Sequence, residues 1–307
     1  MTQPKISVVI PAYNAASYIH RAIESVMNQT YPIHELIIVN DGSSDNTEQA
    51  VADLIQRECF EGKVALVSQV NGGPGSARNH GVRLSSGDWI ALLDSDDEWE
   101  PIKLERQIPY TTDDTIGVVQ AWNPKECRQA PEYIDFEQLW EKNCVANSSV
   151  LIRRSAFEEV GGFDEDRAII AVEDYNLWLR VAYAGWRIVT HKEELVKYHE
   201  APGNLSSQLE RATNAEFANL DSIANRLGIP SEKVEAKRIK LHDELSKYLL
   251  YHRCSQPARK LLKVLLQQKF TPNRFFWWLA TYVPSSILNL RRSLPRKGSP
   301  SVAGGKS

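Results

Sequence analysis

Short apolar runs and amphipathic stretches alternate through the first hundred residues. Ile6-Ser-Val-Val-Ile10 is β-branched and closed by Pro11, which predicts a first strand. Tyr18, Ile19, Ala22, Ile23 and Val26 then recur at helical spacing. A second strand is predicted at Leu36 to Val39 and stops at Asn40-Asp-Gly-Ser-Ser-Asp45; a helix follows through Ala50, Val51, Leu54 and Ile55. A third strand at Val64 to Val67, a Gly-rich turn, a helix near Ala77 to Leu84 and a fourth strand at Trp89 to Leu93 continue the alternation. Such alternation predicts an α/β fold with a mostly parallel, doubly wound sheet. Further on, Ile116 to Gln120 and Ser149 to Ile152 are strand candidates and Glu173 to Ala182 a helix. No internal repeat is evident.

From about Leu209 the pattern turns helical, with Ala258, Leu261, Leu262, Leu265 and Leu266 forming one apolar stripe. Phe275-Phe-Trp-Trp278 to Leu290 is interrupted by Thr281, Pro284, Ser285 and Asn289, too broken to span a bilayer. Two readings stand side by side. The stretch lies in a membrane interface with Arg291, Arg292, Arg296 and Lys297 at the headgroups, or it is a docked helix pair with a disordered tail from about Ser293.

At 307 residues, 42% hydrophobic and 24% charged, the chain has the composition of a globular protein with a sizeable core. Charge sharpens the picture at the C-terminal end. No acid follows Glu244, while twelve Lys and Arg lie from Lys247 to Lys306. Residues 1–244 hold 24 basic and 39 acidic groups, a balance of −15, against +12 for the rest. A basic terminus of this kind suits an anionic partner, and its aromatics favour a membrane surface over nucleic acid. Four scattered cysteines without a Cys-x-x-Cys pair argue against a zinc site or a disulfide framework and suit a reducing compartment. The N-terminus leads directly into a strand, without the features of a signal peptide. A cytoplasmic protein, peripheral on the inner face of the membrane, is the expected setting.

Candidate chemistry gathers where strands end. Asp94, Asp96 and Asp97 follow the fourth strand, and residues two apart in extended chain face the same way, so Asp94 and Asp96 can address one ligand. Ligands of open α/β sheets sit beyond the carboxyl ends of their strands. A carboxylate pair there suits a hard divalent cation completed by phosphate oxygens. Pro11-Ala-Tyr-Asn14, Asp41 and the turn Asn71 to Asn79, ending in Arg78, would reach the same edge. Tyr13 offers a ring for a base, and Arg78 a forked donor for phosphate.

These segments carry a resemblance. Ser-Val-Val-Ile-Pro-Ala-Tyr-Asn, Val-Asn-Asp-Gly-Ser-Ser-Asp-Asn-Thr, Gly-x-Ala-Arg-Asn and Leu-Asp-Ser-Asp-Asp resemble the inverting family 2 glycosyltransferases of the GT-A fold, in the family's order. With Gly161-Gly-Phe-Asp164 and Glu173-Asp174, the match covers roughly residues 4–206. The resemblance implies a nucleotide-sugar donor, usually a UDP-sugar. Pro11, Ala12, Tyr13 and Asp41 would hold the nucleoside, with Arg78, Asp94 and Ser95 on the nucleotide. Asp96 would ligate Mn²⁺ or Mg²⁺, Asp97 has no firm role, and Asp174 would be the base that deprotonates the acceptor. Glu173 is the runner-up or a positioning residue. The family often has a His where Ala201 stands here, so His199 is kept as a candidate metal or phosphate ligand.

The implied organisation is a donor half at 1–110, an acceptor half at 111–206, a helical extension at 207–292 and a tail at 293–307. The implied task is sugar transfer to a glycan or lipid-linked hydroxyl in surface polysaccharide or glycolipid synthesis. A catalytically inactive nucleotide-sugar-binding or regulatory protein on the same fold is the alternative. A dinucleotide-dependent oxidoreductase is disfavoured, because Pro-Ala-Tyr-Asn follows the first strand where Gly-x-Gly-x-x-Gly would be needed.

Overall fold

A computed structural model of the chain describes residues 3–58, 62–129, 131–199 and 209–283. The first half alternates as its periodicity predicts: β1 (Ile6–Ala12), α1 (Ile19–Met27), β2 (Glu35–Asn40), α2 (Thr47–Arg57), β3 (Val64–Ser68), α3 (Pro74–Leu84) and β4 (Trp89–Leu92). Shorter elements follow: β5 (Glu98–Trp99), α4 (Lys103–Gln107), β6 (Ile116–Ala121), β7 (Tyr133–Ile134), α5 (Phe136–Glu141), β8 (Val150–Arg153), α6 (Arg154–Glu159), α7 (Glu173–Tyr183), β9 (Arg187–His191) and β10 (Val196–Lys197). Then come α8 (Leu209–Leu227), α9 (Ser231–Tyr251), α10 (Ser255–Gln268) and α11 (Pro272–Ala280).

Eight strands form one sheet in the order β3-β2-β1-β4-β8-β6-β9-β7, and β10 pairs with β5 in a separate ribbon. β1 runs parallel to β2 and to β4, β2 to β3, and β6 to β9. All residues of β1 and β4 are buried, as near-continuous apolar runs covered on both faces require. Two departures from the sequence reading have clear causes. β1 does not stop at Ile10 but continues through Pro11, which is opposite Val39 of β2. The pairing of β1 with β4 ends at Val9, so on that side the missing N–H of Pro11 costs no ladder bond. β8 is antiparallel to both neighbours, β4 and β6. It therefore presents its N-terminal end, not its C-terminal end, at the edge where β1, β2 and β4 finish.

Strand order reverses at β1: β2 and β3 lie to one side and β4 to the other. That is the switch point at which such sheets leave a crevice. α3 packs tightly over β1, and a Cβ added at Gly81 would lie 2.5 Å from Val9 Cγ1.

The chain divides into two compact units, residues 1–234 and 235–307. In the second, α10 buries Ala258, Leu262 and Leu265, the centre of the expected stripe; Leu261 and Leu266 are half-buried at its flanks. Thr271 caps α11, accepting the Arg274 N–H at 3.2 Å. Arg259 ties the end of α11 down through two bonds to Thr281 and lies 3.6 Å from the Tyr282 ring. No residue of α11 is buried, and Phe276, Leu279 and Tyr282 are exposed. Arg291, Arg292, Arg296, Lys297 and the expected disordered tail lie outside the described residues. No helix among the described residues is long and apolar enough to cross a membrane.

Candidate active site

The loops after β1 and β2 lock onto each other. Asn14 adopts φ 51°, a left-handed conformation that Asn tolerates. Its Oδ1 accepts the Ser44 N–H at 2.8 Å and that of Asp45 at 3.3 Å, while Asp45 accepts the Ala16 N–H at 3.1 Å. Pro11 and Ala12 are buried in the strand, and Tyr13 is left 52% exposed at its mouth, free to offer a face to a planar ligand.

Asp41 is buried, and its carboxylate is already engaged. Oδ1 accepts from Gln69 and the Gly72 N–H, both at 2.8 Å, and Oδ2 accepts the Gly73 N–H at 2.9 Å. The carboxylate thus shapes the Gly-rich turn that opens α3. Gly73 has φ 92°, and a Cβ there would meet Ile170 at 2.9 Å, so the turn needs glycine.

The acidic segment is not extended. β4 ends at Leu92, and the Asp97 N–H returns to the Asp94 carbonyl at 3.1 Å, closing a turn with Ser95 and Asp96 at its tip. Strand alternation therefore does not align Asp94 with Asp96; the turn gathers the acids instead. Ser148, in the loop leading into β8, accepts the Asp94 N–H at 3.1 Å and hydrogen-bonds Asp97. Asn147 donates to Asp94 Oδ1 at 3.1 Å. Behind the turn, the Trp99 indole donates to the Ser148 carbonyl at 2.7 Å. Sequence reasoning missed Asn147 and Ser148, because only the antiparallel course of β8 brings them to this edge.

Burial, then the charge of Asp94, pushes Asp96 up to about 6 and Asp97 up to about 8. Acids whose pKa values are raised by burial and by repulsion from neighbouring carboxylates mark a site short of positive charge. An all-oxygen donor set of this kind fits Mg²⁺ or Mn²⁺ bound through one or two carboxylates, with substrate phosphates supplying the rest. No group of three or more His, Cys, Asp or Glu at metal-binding spacing exists among the described residues. The protein alone would thus form an incomplete shell. His199 donates its backbone N–H to Asp97 at 3.3 Å, and its ring sits 3.6 Å from Glu98. Position 201, where the family often has a His, lies outside the described residues.

Arg78 joins the two halves of the site. It is 4% exposed; Nη2 bonds Asp94 at 2.6 Å and Nη1 bonds Glu173 at 2.7 Å, with its guanidinium 5.3 Å from the Phe163 ring. Burial opposes its charge, but the two carboxylates outweigh that and hold its pKa above the ordinary value. Both oxygens of Glu173 are used, the second accepting the Ala171 N–H at 2.9 Å. Ala171 has φ 93°, an unfavourable conformation for a residue with a Cβ, immediately before α7. Arg78, read from sequence as a phosphate contact, is thus tied both to Asp94 and to Glu173, read as the runner-up base or a positioning residue.

Asp174 is half-buried in the first turn of α7, where its Oδ1 accepts the Tyr175 N–H at 2.7 Å. Burial first and Glu173 second raise it to about 8, against the lowering influence of Arg78. Of the two adjacent acids, Asp174 is the one with unused acceptor capacity.

The Gly161-Gly-Phe-Asp164 turn is pinned from both sides. Asn79 of α3 exchanges two bonds with the Phe163 backbone, at 2.9 and 2.8 Å. Arg180 of α7 donates to the Val160 and Gly162 carbonyls, both at 2.7 Å, and to Asn176 at 2.8 Å. Truncating Arg180 to Ala strands the Gly162 carbonyl and the Asn176 amide oxygen, while the Val160 carbonyl keeps a bond from Arg226 at 3.1 Å; the change is expected to cost about 2–3 kcal/mol in chemical denaturation. An unchanged midpoint would show that water replaces the side chain.

The family model described as glycosyl transferase family 2 matches residues 7–161, and a second, glycosyltransferase like family 2, matches residues 132–263. The chain belongs to glycosyl transferase family 2. Among curated relatives, TuaG of Bacillus subtilis, whose name assigns it as a glycosyltransferase to teichuronic acid biosynthesis, is 28% identical over 221 residues, 68% of this chain and 84% of that protein. The chain spans only 31 to 58% of the length of several other curated relatives, all uncharacterised glycosyltransferases. The fold matches the mannosyltransferase PcManGT from Pyrobaculum calidifontis, solved with GDP-Man and Mn²⁺, at TM-score 0.65 and 20% identity over 94% of this chain and 81% of that one. S. aureus TarS 1-349 in complex with UDP-GlcNAc matches at TM-score 0.60 and 18% identity, covering 93% and 83%. The GT-A architecture expected from the sequence is therefore present.

Proposed function

We propose that the chain transfers a sugar from a nucleoside diphosphate, UDP first among the candidates, to an acceptor hydroxyl with inversion. The observation that carries this reading is the placement of Asp174. A carboxylate pushed up to about 8 stands beside Glu173, which Arg78 couples to the donor-side acid Asp94. A base whose pKa lies near working pH is what deprotonation of an alcohol requires.

In the reaction, Asp174 takes the hydroxyl proton as the acceptor oxygen attacks the anomeric carbon. The nucleoside diphosphate leaves from the opposite face with the bonding electrons. Tyr13 stacks on the base, and Pro11, Ala12 and the Asp41-shaped turn form the nucleoside wall. Asp94, Ser95 and Asp96 face the diphosphate. A divalent cation held by Asp96, with His199 as a further candidate ligand, would offset charge developing on the leaving group. Arg78 works mainly through the two acids it holds, which departs from a simple phosphate contact. Residues 1–110 serve the donor, 111–206 the acceptor, and 207–292 form an extension.

Neighbours of the same fold carry GDP-Man with Mn²⁺ or UDP-GlcNAc, which supports a metal-assisted nucleotide-sugar site. The name of TuaG supports surface polysaccharide as the product class. The exposed aromatics of α11 and the basic residues beyond it support contact with an anionic membrane surface from the cytoplasmic side.

The test is donor hydrolysis with UDP-, GDP- and dTDP-sugars in Mn²⁺ or Mg²⁺. Asp96→Ala is expected to lower metal-dependent release of one nucleotide by about a hundredfold or more, some 2.7 kcal/mol of transition-state stabilisation. Equal release by wild type and variant, or release indifferent to chelator, would overturn the metal assignment. Tight nucleotide binding without turnover on any glycan or lipid acceptor would favour a binding or regulatory role.

A further inference from the structure

The connection after β6 and the segment after α5 approach each other on the acceptor half, and each carries a cysteine. The Trp122 indole donates to the Cys127 carbonyl at 2.8 Å, and the Gln120 amide donates to the Cys144 carbonyl at 3.0 Å. Both cysteine backbones are thus moored to the end of the same strand. The Lys142 ammonium donates to the Glu126 carbonyl at 2.7 Å, which draws the two segments together. The thiols lie against each other, Cys144 hydrogen-bonded to Cys127, and each is partly exposed and unbridged. Each also contacts a nearby carbonyl, Cys127 that of Gln129 at 3.0 Å and Cys144 that of Lys142 at 3.5 Å.

We propose that Cys127 and Cys144 form a reversible dithiol–disulfide pair, a modification site that small-molecule disulfides such as oxidised glutathione can close. Two free, partly exposed thiols whose side chains interact are brought together here from sequence positions that look scattered. Burial and the adjacent Cys127 push the Cys144 thiol up to about 11, so Cys127 makes the first attack. Its thiolate displaces one glutathione thiolate from the oxidant and becomes a mixed disulfide. The Cys144 thiolate then attacks the Cys127 sulfur, forming the internal bond and releasing the second glutathione. The protein loses two hydrogens, the oxidant gains them, and an excess of reduced glutathione runs the exchange backwards.

The site is placed to matter. Asn147 and Ser148, which hold Asp94, follow Cys144 after Val145 and Ala146, so the bond would tether that segment to the loop after β6.

The experiment begins with the full, unsubstituted chain. The protein is equilibrated in glutathione buffers of increasing oxidation, quenched, alkylated with N-ethylmaleimide and mapped by peptide mass. Two thiols are expected to lose reactivity together, with a Cys127–Cys144 linked peptide that dithiothreitol abolishes, while Cys59 and Cys254 enter no linked peptide. In Cys127→Ser the Cys144 thiol is expected to remain open to alkylation or to retain glutathione. A linked peptide joining other cysteines would overturn the proposal. So would stable glutathione on Cys127 in the wild type, or full alkylation of both cysteines in wholly oxidised glutathione.

Discussion

Asp174→Asn is expected to lower sugar transfer to an acceptor by about a thousandfold, on the order of 4 kcal/mol, while leaving nucleotide binding near wild type. The amide keeps the size of the side chain and can still accept the Tyr175 N–H, so the loss would report basicity. The pH profile separates this from a packing defect. With Asp174 near 8, the working carboxylate form is a minority at neutrality, and kcat/KM should climb with pH and level off above about 8. The variant should lack that limb. A second sign follows from linkage. An acid held protonated by the fold binds more protons folded than unfolded, so its presence makes the protein less stable as pH rises from the ordinary carboxylate range through about 8. Asp174→Asn should flatten that slope in chemical denaturation. A wild-type profile flat from pH 6 to 9 would remove Asp174 from the role.

Replacement of Arg78 by Met is expected to cost about 3–5 kcal/mol of stability and to abolish turnover. The guanidinium is the buried partner of two acids at once. Its removal leaves Glu173 and Asp94 as negative charges with part of their compensation gone. Lys should not rescue, because a single ammonium cannot span both carboxylates as the fork does. Pairing Arg78→Met with Glu173→Gln should cost less than the sum of the single changes, since the stranded charge is then absent. Additive losses in that cycle would mean that the two side chains do not act on each other.

The alternating half of the chain was open to reading because strand burial, helix spacing and turn chemistry are local properties. Ile6 to Ile10 and Trp89 to Leu93 announce themselves by composition alone. What escaped depends on chain reversal. The antiparallel course of β8 cannot be read from Val150–Arg153, and with it went the placement of Asn147 and Ser148. Asp41 is conspicuous in its motif, but its use as the clamp of the Gly72–Gly73 turn depends on atoms about 30 positions away. Cys127 and Cys144 looked scattered because each segment gives no hint of the other. Strand ends pointed to Tyr13, Asp41, Arg78, Asp94 and Asp96, the resemblance added Glu173 and Asp174, and their partners came only from the fold.

The bond from Arg78 to Glu173 spans 95 positions of sequence. During synthesis at ~5–20 residues per second, the guanidinium waits roughly 5–20 s for that partner to leave the ribosome. A nascent chain that ends before α7 can pair β1, β2 and β4 but has nothing to complete the ion bridge. The crevice is therefore finished late in biogenesis, well after the strands β1, β2 and β4 that frame it, and a prematurely terminated product would carry the strand-end motifs of the first half without the residues that close them.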